Sequence, residues 1–173
     1  YPSSHQLFIR AAACYEEAEK QLPFLHYKPV SVKRSLFGWV GNYFGFTGYY
    51  NPFSGEAQVN TLVPKFILPY TTTHEIGHQL GYAKENEANF VGYLSATASK
   101  DSAFLYSAYL DLFLYADRNL YNVYSAAAKS LAHQLLPGVK ADLTDLSDFN
   151  RRHQNPFEPV IRWLFYKSFQ NNN

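Results

Sequence analysis

The sequence predicts a single α+β domain, mainly α, in which a small antiparallel sheet precedes a helical C-terminal half. Between Pro29 and Leu62 the chain runs in short β-like segments, VSVKRSLF, NYFGFTGYY and EAQVNTL, separated by glycines and by the turn-like Asn51-Pro52-Phe53-Ser54-Gly55. After Pro69, apolar residues recur at helical spacing almost to the end of the chain. The 173 residues are 47% apolar, enough for one hydrophobic core, so residues 1–173 are read as one domain.

The first helix is expected from a cap at Ser3 or Ser4 to about Leu22. Leu7, Ala11, Tyr15 and Ala18 share its inner face, Glu16, Glu17 and Lys20 lie outside, and Pro23 stops it. The β-like segments form the sheet, with a hairpin at Asn51–Gly55. Further helices are expected at about 71–81, 85–99, 101–116, 118–135 and 157–169, with irregular chain around Pro137-Gly138 and Asn155-Pro156. The longest apolar tract, Ala103 to Ala116, is too short to span a bilayer and is broken by Asp111, so it reads as a buried helix.

A net charge of +1, from 15 basic and 14 acidic residues, supplies no basic field for nucleic acid or an anionic membrane surface. Fifteen Tyr and fourteen Phe imply rings that fill a core and line a cleft. Cys14 is the single cysteine, which excludes an internal disulfide, and its setting beside Ala11, Ala12 and Ala13 suits an inert buried thiol. No signal peptide or membrane-spanning segment is visible. A chain that begins at Tyr1 and contains no Met is expected to be a piece of a longer protein, from which a membrane anchor can have been removed.

Chemistry concentrates in THEIGHQLGYAKENEANFVGYL, residues 73 to 94. Two histidines four apart on a helix, His74 and His78, lie on one face and can reach a single metal ion, with Glu75 beside them. Zinc acidifies a coordinated water, and a neighbouring carboxylate can take the proton as that water attacks a carbonyl carbon. Glu75 is therefore read as the catalytic acid/base and Zn2+ as the cofactor. The plainer reading is that Thr72-Thr73-His74-Glu75 forms a capping box, which explains Glu75 alone.

A catalytic zinc usually has three protein ligands, and the nearest candidates for the third are Glu85 and Glu87. In one unbroken helix Glu85 would lie roughly 10 Å beyond His78 along the axis, so the helix must end first. Gly81 is suitably placed for a left-handed helix end that swings a second helix back. On that second helix Glu85 and Asn89 share a face, while Glu87 lies about 200° from Glu85. Glu85 is preferred, with Glu87 the alternative.

With H-E-I-G-H followed by E-N-E-A-N, this segment resembles the gluzincin metallopeptidases, in which the following helix carries E-x-x-A-D or a close variant. The resemblance implies a zincin-like fold, His74, His78 and Glu85 as zinc ligands, Glu75 as acid/base and Asn89 in the outer position that supports a ligand histidine. Asn89 stands where the acid is usual. H-E-x-x-H-x-x-G also looks like the start of the metzincin motif, but Lys84 stands where the third histidine would be. Together with GYYNPFSGEAQVN and FLYSAYL, the block is similar to an uncharacterised bacterial family called domain of unknown function 3810, from about Gly48 to Leu110 and loosely to the C-terminus. Its members typically carry membrane-spanning helices ahead of such a domain, which implies a membrane-anchored, extracytoplasmic zinc hydrolase.

The expected activity is hydrolysis of peptide bonds in a peptide or protein substrate. The alternative is a non-catalytic interaction or structural domain that keeps a zincin fold. By the gluzincin likeness, Gly55 to Leu62 corresponds to the edge strand that holds substrate as an added strand. Arg151, Arg152 and His153 form the densest cluster that could stabilise an oxyanion, although a solvated basic turn is the simpler reading. His5, His26 and His133 are isolated and receive no ligand role.

Overall fold

The computed structural model describes residues 3–28 and 31–154. Helix α1 (Ser4–Glu19) is followed by a short 3-10 turn at Pro23–Leu25, strand β1 (Val32–Arg34), helix α2 (Gly38–Phe44), and strands β2 (Gly48–Asn51) and β3 (Glu56–Val59). Helices α3 (Leu68–Gln79), α4 (Glu85–Ala98), α5 (Ser102–Gln134) and α6 (Pro137–Arg152) complete the described chain. The fold is α+β and mainly helical, and no described helix is long and apolar enough to cross a membrane.

Helix α1 starts where its sequence says it should. The Ser3 side chain accepts from the Gln6 backbone while the Gln6 side chain accepts from the Ser3 N–H, a complete capping box. Leu7, Ala11, Cys14, Tyr15 and Ala18 are all buried against the core. Burial pushes the Cys14 thiol up to about 11, as an inert thiol requires.

The sheet is mixed, in the order β1-β3-β2. The expected hairpin exists, with β2 antiparallel to β3 and Tyr50 opposite Ala57. β1 pairs parallel to β3, Val32 opposite Ala57, because the chain between them passes through α2 and β2 before it returns, a crossover rather than a tight turn. The residues read as a strand around Asn42 instead begin in α2. Asn60 accounts for this: its amide donates to the Gly38 carbonyl at 2.9 Å and to Asn42 Oδ1 at 2.7 Å, and Gly45 closes the helix at φ 75°. These tertiary hydrogen bonds override the β preference of the aromatic run.

The helical half also departs from expectation in places. The expected break after Ala116 is absent; α5 continues to Tyr124, whose φ of −148° and ψ of 80° interrupt it. Ala132 and Leu135 line the same groove as Phe113 and Leu114, residues that a straight helix would hold about 28 Å apart, so the chain turns back there. The apolar tract in α5 buries only one face, Phe104, Ser107, Ala108 and Leu110, and leaves Tyr109, Leu112 and Tyr115 exposed. Pro137-Gly138 opens helix α6, with Pro137 in the first turn, where its missing N–H costs nothing. The helix expected at 157–169 lies outside the described residues.

Helix α3 sits at the centre and is braced on several sides. The Tyr15 hydroxyl of α1 donates to the Thr73 carbonyl at 2.6 Å, and the Tyr70 N–H donates to Ser107 Oγ of α5 at 3.0 Å. At its end, Gln79 Nε2 donates to the Ser31 and Gly55 carbonyls, both at 2.8 Å, while Gln79 Oε1 accepts from the Tyr27 hydroxyl at 2.7 Å. One side chain thus ties α3 to both sides of the sheet. Gln79→Ala is expected to reduce stability by about 2 kcal/mol, because it strands partly buried partners; a urea unfolding curve identical to that of the parent would refute this.

Candidate metal centre

The helical repeat of α3 brings His74 and His78 one above the other, with ring centroids 4.8 Å apart and planes nearly perpendicular. His78 Nδ1 lies 2.8 Å from the Tyr82 carbonyl. A carbonyl only accepts, so Nδ1 carries a proton, which leaves Nε2 as the nitrogen that a neutral ring offers to a metal. His74 Nδ1 is buried, with no partner at full hydrogen-bond geometry. Asn89 lies close enough to favour the charged form of His74, but burial, and then the neighbouring His78, lower its affinity for a proton.

The chain reverses directly after His78. Gly81 adopts φ 99°, the Gly81 N–H donates to the His78 carbonyl, and the Tyr82 N–H donates to the Gly77 carbonyl. This is a Schellman end, and it requires the left-handed conformation that glycine adopts without strain. Helix α4 then begins at Glu85 and runs back against α3. The two helices approach closely: a Cβ on Gly92 would stand 3.0 Å from His74 Cα, and one on Gly77 would stand 2.8 Å from Val91 Cγ2.

This reversal brings Glu85 to the histidine pair. Its carboxylate oxygens lie 3.3 Å from His74 Nε2 and 3.5 Å from His78 Nε2. Glu87 points elsewhere, toward Lys84 Nζ at 3.4 Å. Among the described residues, His74, His78 and Glu85 form the one group of three or more such side chains placed to share an ion. Asn89 also accepts the Tyr70 hydroxyl at its backbone carbonyl, 3.0 Å, so it is held from both sides.

The capping-box reading of Glu75 fails, because α3 begins at Leu68 and Thr72 lies in its interior, its hydroxyl donating to the Leu68 carbonyl. Glu75 is 3% exposed, and its Oε2 is buried without a partner. Burial, and then the charge of Glu85, push its carboxyl up to about 8. The carboxylate lies against the backbone of β2, where a Cβ on Gly48 would meet Glu75 Oε1 at 2.3 Å.

These groups open into a cleft of 590 Å³, walled by Phe46, Gly48, Tyr49 and Tyr50 on one side and by the two histidines and Glu85 on the other. The edge strand beside the centre is β2. The segment Gly55 to Leu62 cannot serve as the edge, since β3 is the middle strand, paired on both sides. The sequence did hold a signal for β2: a glycine within a strand marks close backbone approach. Arg151, Arg152 and His153 do not line the cleft; Arg151 pairs with Asp148 at 2.9 Å, and His153 donates to the Phe149 carbonyl and packs on Tyr43.

A family model described as Protein of unknown function (DUF3810) matches residues 2–173. No curated protein and no solved structure matches the chain.

The contact between Gly48 and Glu75 gives a specific expectation. Gly48→Ala should destabilise the protein by about 2 kcal/mol through overpacking, and by only a few tenths in a Glu75→Ala background, where the opposing atoms are gone. Additive losses in the double-mutant cycle would show that the two positions are not in contact.

Proposed function

The chain belongs to that family, and we propose that it is a zinc-dependent hydrolase, a gluzincin-like metallopeptidase that cleaves extended polypeptide. The observation that carries this reading is the spacing of the three donors. Ligand atoms about 2.0–2.1 Å from one tetrahedral zinc stand about 3.3–3.4 Å apart. Glu85 Oε2 lies 3.3 Å from His74 Nε2 and Glu85 Oε1 lies 3.5 Å from His78 Nε2, near that edge length, and the ligand atoms of the three residues all lie within 4.8 Å of one another.

In this reading His74 Nε2, His78 Nε2 and Glu85 would hold the ion, the Tyr82 carbonyl orients the His78 ring, and Asn89 lies beside His74. Zinc bound there would supply a Lewis acid to polarise a carbonyl and to acidify water. Glu75 accepts the proton of the attacking water and passes it to the leaving amine. Its burial beside the donors and its unpartnered oxygen suit this role and favour chemistry over a purely structural or interaction domain.

The edge of β2, unpaired among the described residues, offers backbone donors and acceptors to an extended peptide, which would run past Glu75 through the cleft. Phe46, Tyr49 and Tyr50 would contact its side chains. We place the domain on the extracytoplasmic side of a membrane, held through an anchor outside this chain.

Protein purified without chelator should contain near one zinc per chain by mass spectrometry. His74→Ala and Glu85→Ala should contain almost none, and Glu87→Ala should match the parent. Loss of zinc from Glu87→Ala with retention in Glu85→Ala would overturn the ligand set. Glu75→Gln should keep its zinc and lose on the order of a hundredfold or more of its turnover in a peptide-library digest; unchanged turnover would remove Glu75 from the chemistry.

A further inference from the structure

A second cavity, of 420 Å³, lies between α4 and α5 and shares no residue with the cleft. Tyr70 and Ala108, both buried, lie at its base. Its walls are Phe90 and Tyr93 from α4 and Leu112 and Tyr115 from α5. The Tyr93 ring is itself fixed edge-on by Tyr109, with centroids 6.1 Å apart.

Asp111 is the single charged side chain in this lining. It has no hydrogen bond or close ion pair among the described residues; Arg118 acts on it only at longer range. Asp111 is itself solvent-exposed, and the partial desolvation of its carboxyl raises its pKa; burial first, and then the charge of Asp111, pushes the Tyr70 phenol upward. A carboxylate beside aromatic rings, with no cation paired to it among the described residues, leaves its charge unmatched at the mouth of this cavity.

The chemistry narrows what completes it. An anion is repelled by Asp111 and by the negative ring faces. A neutral apolar molecule would further desolvate the carboxylate and leave it unpaired. Hard divalent cations need six or more oxygen ligands at fixed distances, which one carboxylate among aromatic rings does not supply. A weakly hydrated organic ammonium satisfies both features at once, its charge drawn to the carboxylate and to ring faces, its alkyl groups in apolar contact. The volume lies in the range of small-molecule sites.

We propose that this cavity binds an organic ammonium group, its charge held by Asp111 and its alkyl substituents lying against the partly exposed rings of Phe90, Tyr93 and Tyr115. The site adjoins the histidine pair through Asn89, which lines this cavity and lies beside His74, and its test reads binding rather than turnover.

Choline and its uncharged carbon isostere, dimethylbutanol, provide the test, titrated into the full chain and followed by amide NMR. Choline should produce saturable shifts confined to α4 and α5 around the cavity, and the isostere should bind about tenfold more weakly or not at all. Asp111→Asn should weaken choline binding about tenfold, and Tyr115→Ala, at a residue 70% exposed, about threefold. The Tyr115 variant removes no core contact and keeps the test open if the Asp111 variant folds poorly. Absence of saturable binding, equal binding of the isostere, or unchanged affinity in both variants would overturn the proposal.

Discussion

The centre depends on one constraint: α3 must end within a turn of His78. In a continuous helix Glu85 would stand about 16 Å along the axis from His74, and the observed separation is 3.3 Å. The Schellman end at Gly81 provides the reversal, and it does more than stop the helix. Tyr82, the residue after Gly81, donates its N–H to the Gly77 carbonyl and accepts the His78 Nδ1 proton at its own carbonyl. The turn that returns the chain is therefore also the group that fixes the tautomer of a donor histidine, so backbone geometry and side-chain chemistry are set by the same few atoms.

A reversal alone would leave the second helix too far away. Gly77 and Gly92 remove the side chains that would hold α3 and α4 apart, and Gly92 packs directly on the backbone of His74. The remaining freedom of α3 is taken up by polar anchors: the Tyr15 hydroxyl on the Thr73 carbonyl, Ser107 at the Tyr70 N–H, and the Gln79 amide on two carbonyls of the sheet region. The three threonines ahead of His74 return their hydroxyls to carbonyls of the preceding turn, which lets a polar segment lie buried. The histidines thus sit on a helix anchored from several sides.

This division also explains what was legible beforehand. The motif, the glycine reversal and the preference for Glu85 over Glu87 follow from local geometry, since helical periodicity and the φ requirement of Gly81 are properties of a short stretch. The order of the strands is different in kind. Whether β2 or β3 lies at the edge depends on β1 returning parallel to β3 after a crossover, and no local pattern within Gly55 to Leu62 carries that information. α2 is hidden for a related reason, because the aromatic run favours a strand and the deciding hydrogen bonds come from Asn60, distant in sequence. α6 is hidden for a local reason: Pro137-Gly138 resembles a turn, but a proline also opens helices.

The two glutamates show how environment separates chemically identical groups. Glu85 stands at the start of α4 with its side chain 79% exposed, open to solvent on one side and to both histidines on the other. Glu75 is enclosed between the histidine pair and the β2 backbone, with one oxygen lacking any partner and a carboxyl raised to about 8. A ligand must remain deprotonated, whereas a proton carrier works best with a proton affinity near that of its surroundings. In the proposed reaction this placement would present the first, at an exposed helix start, to an ion and hold the second, under a glycine of an edge strand, for proton transfer. It also puts the proton carrier beside the backbone edge along which, in the proposed reaction, the scissile carbonyl would lie.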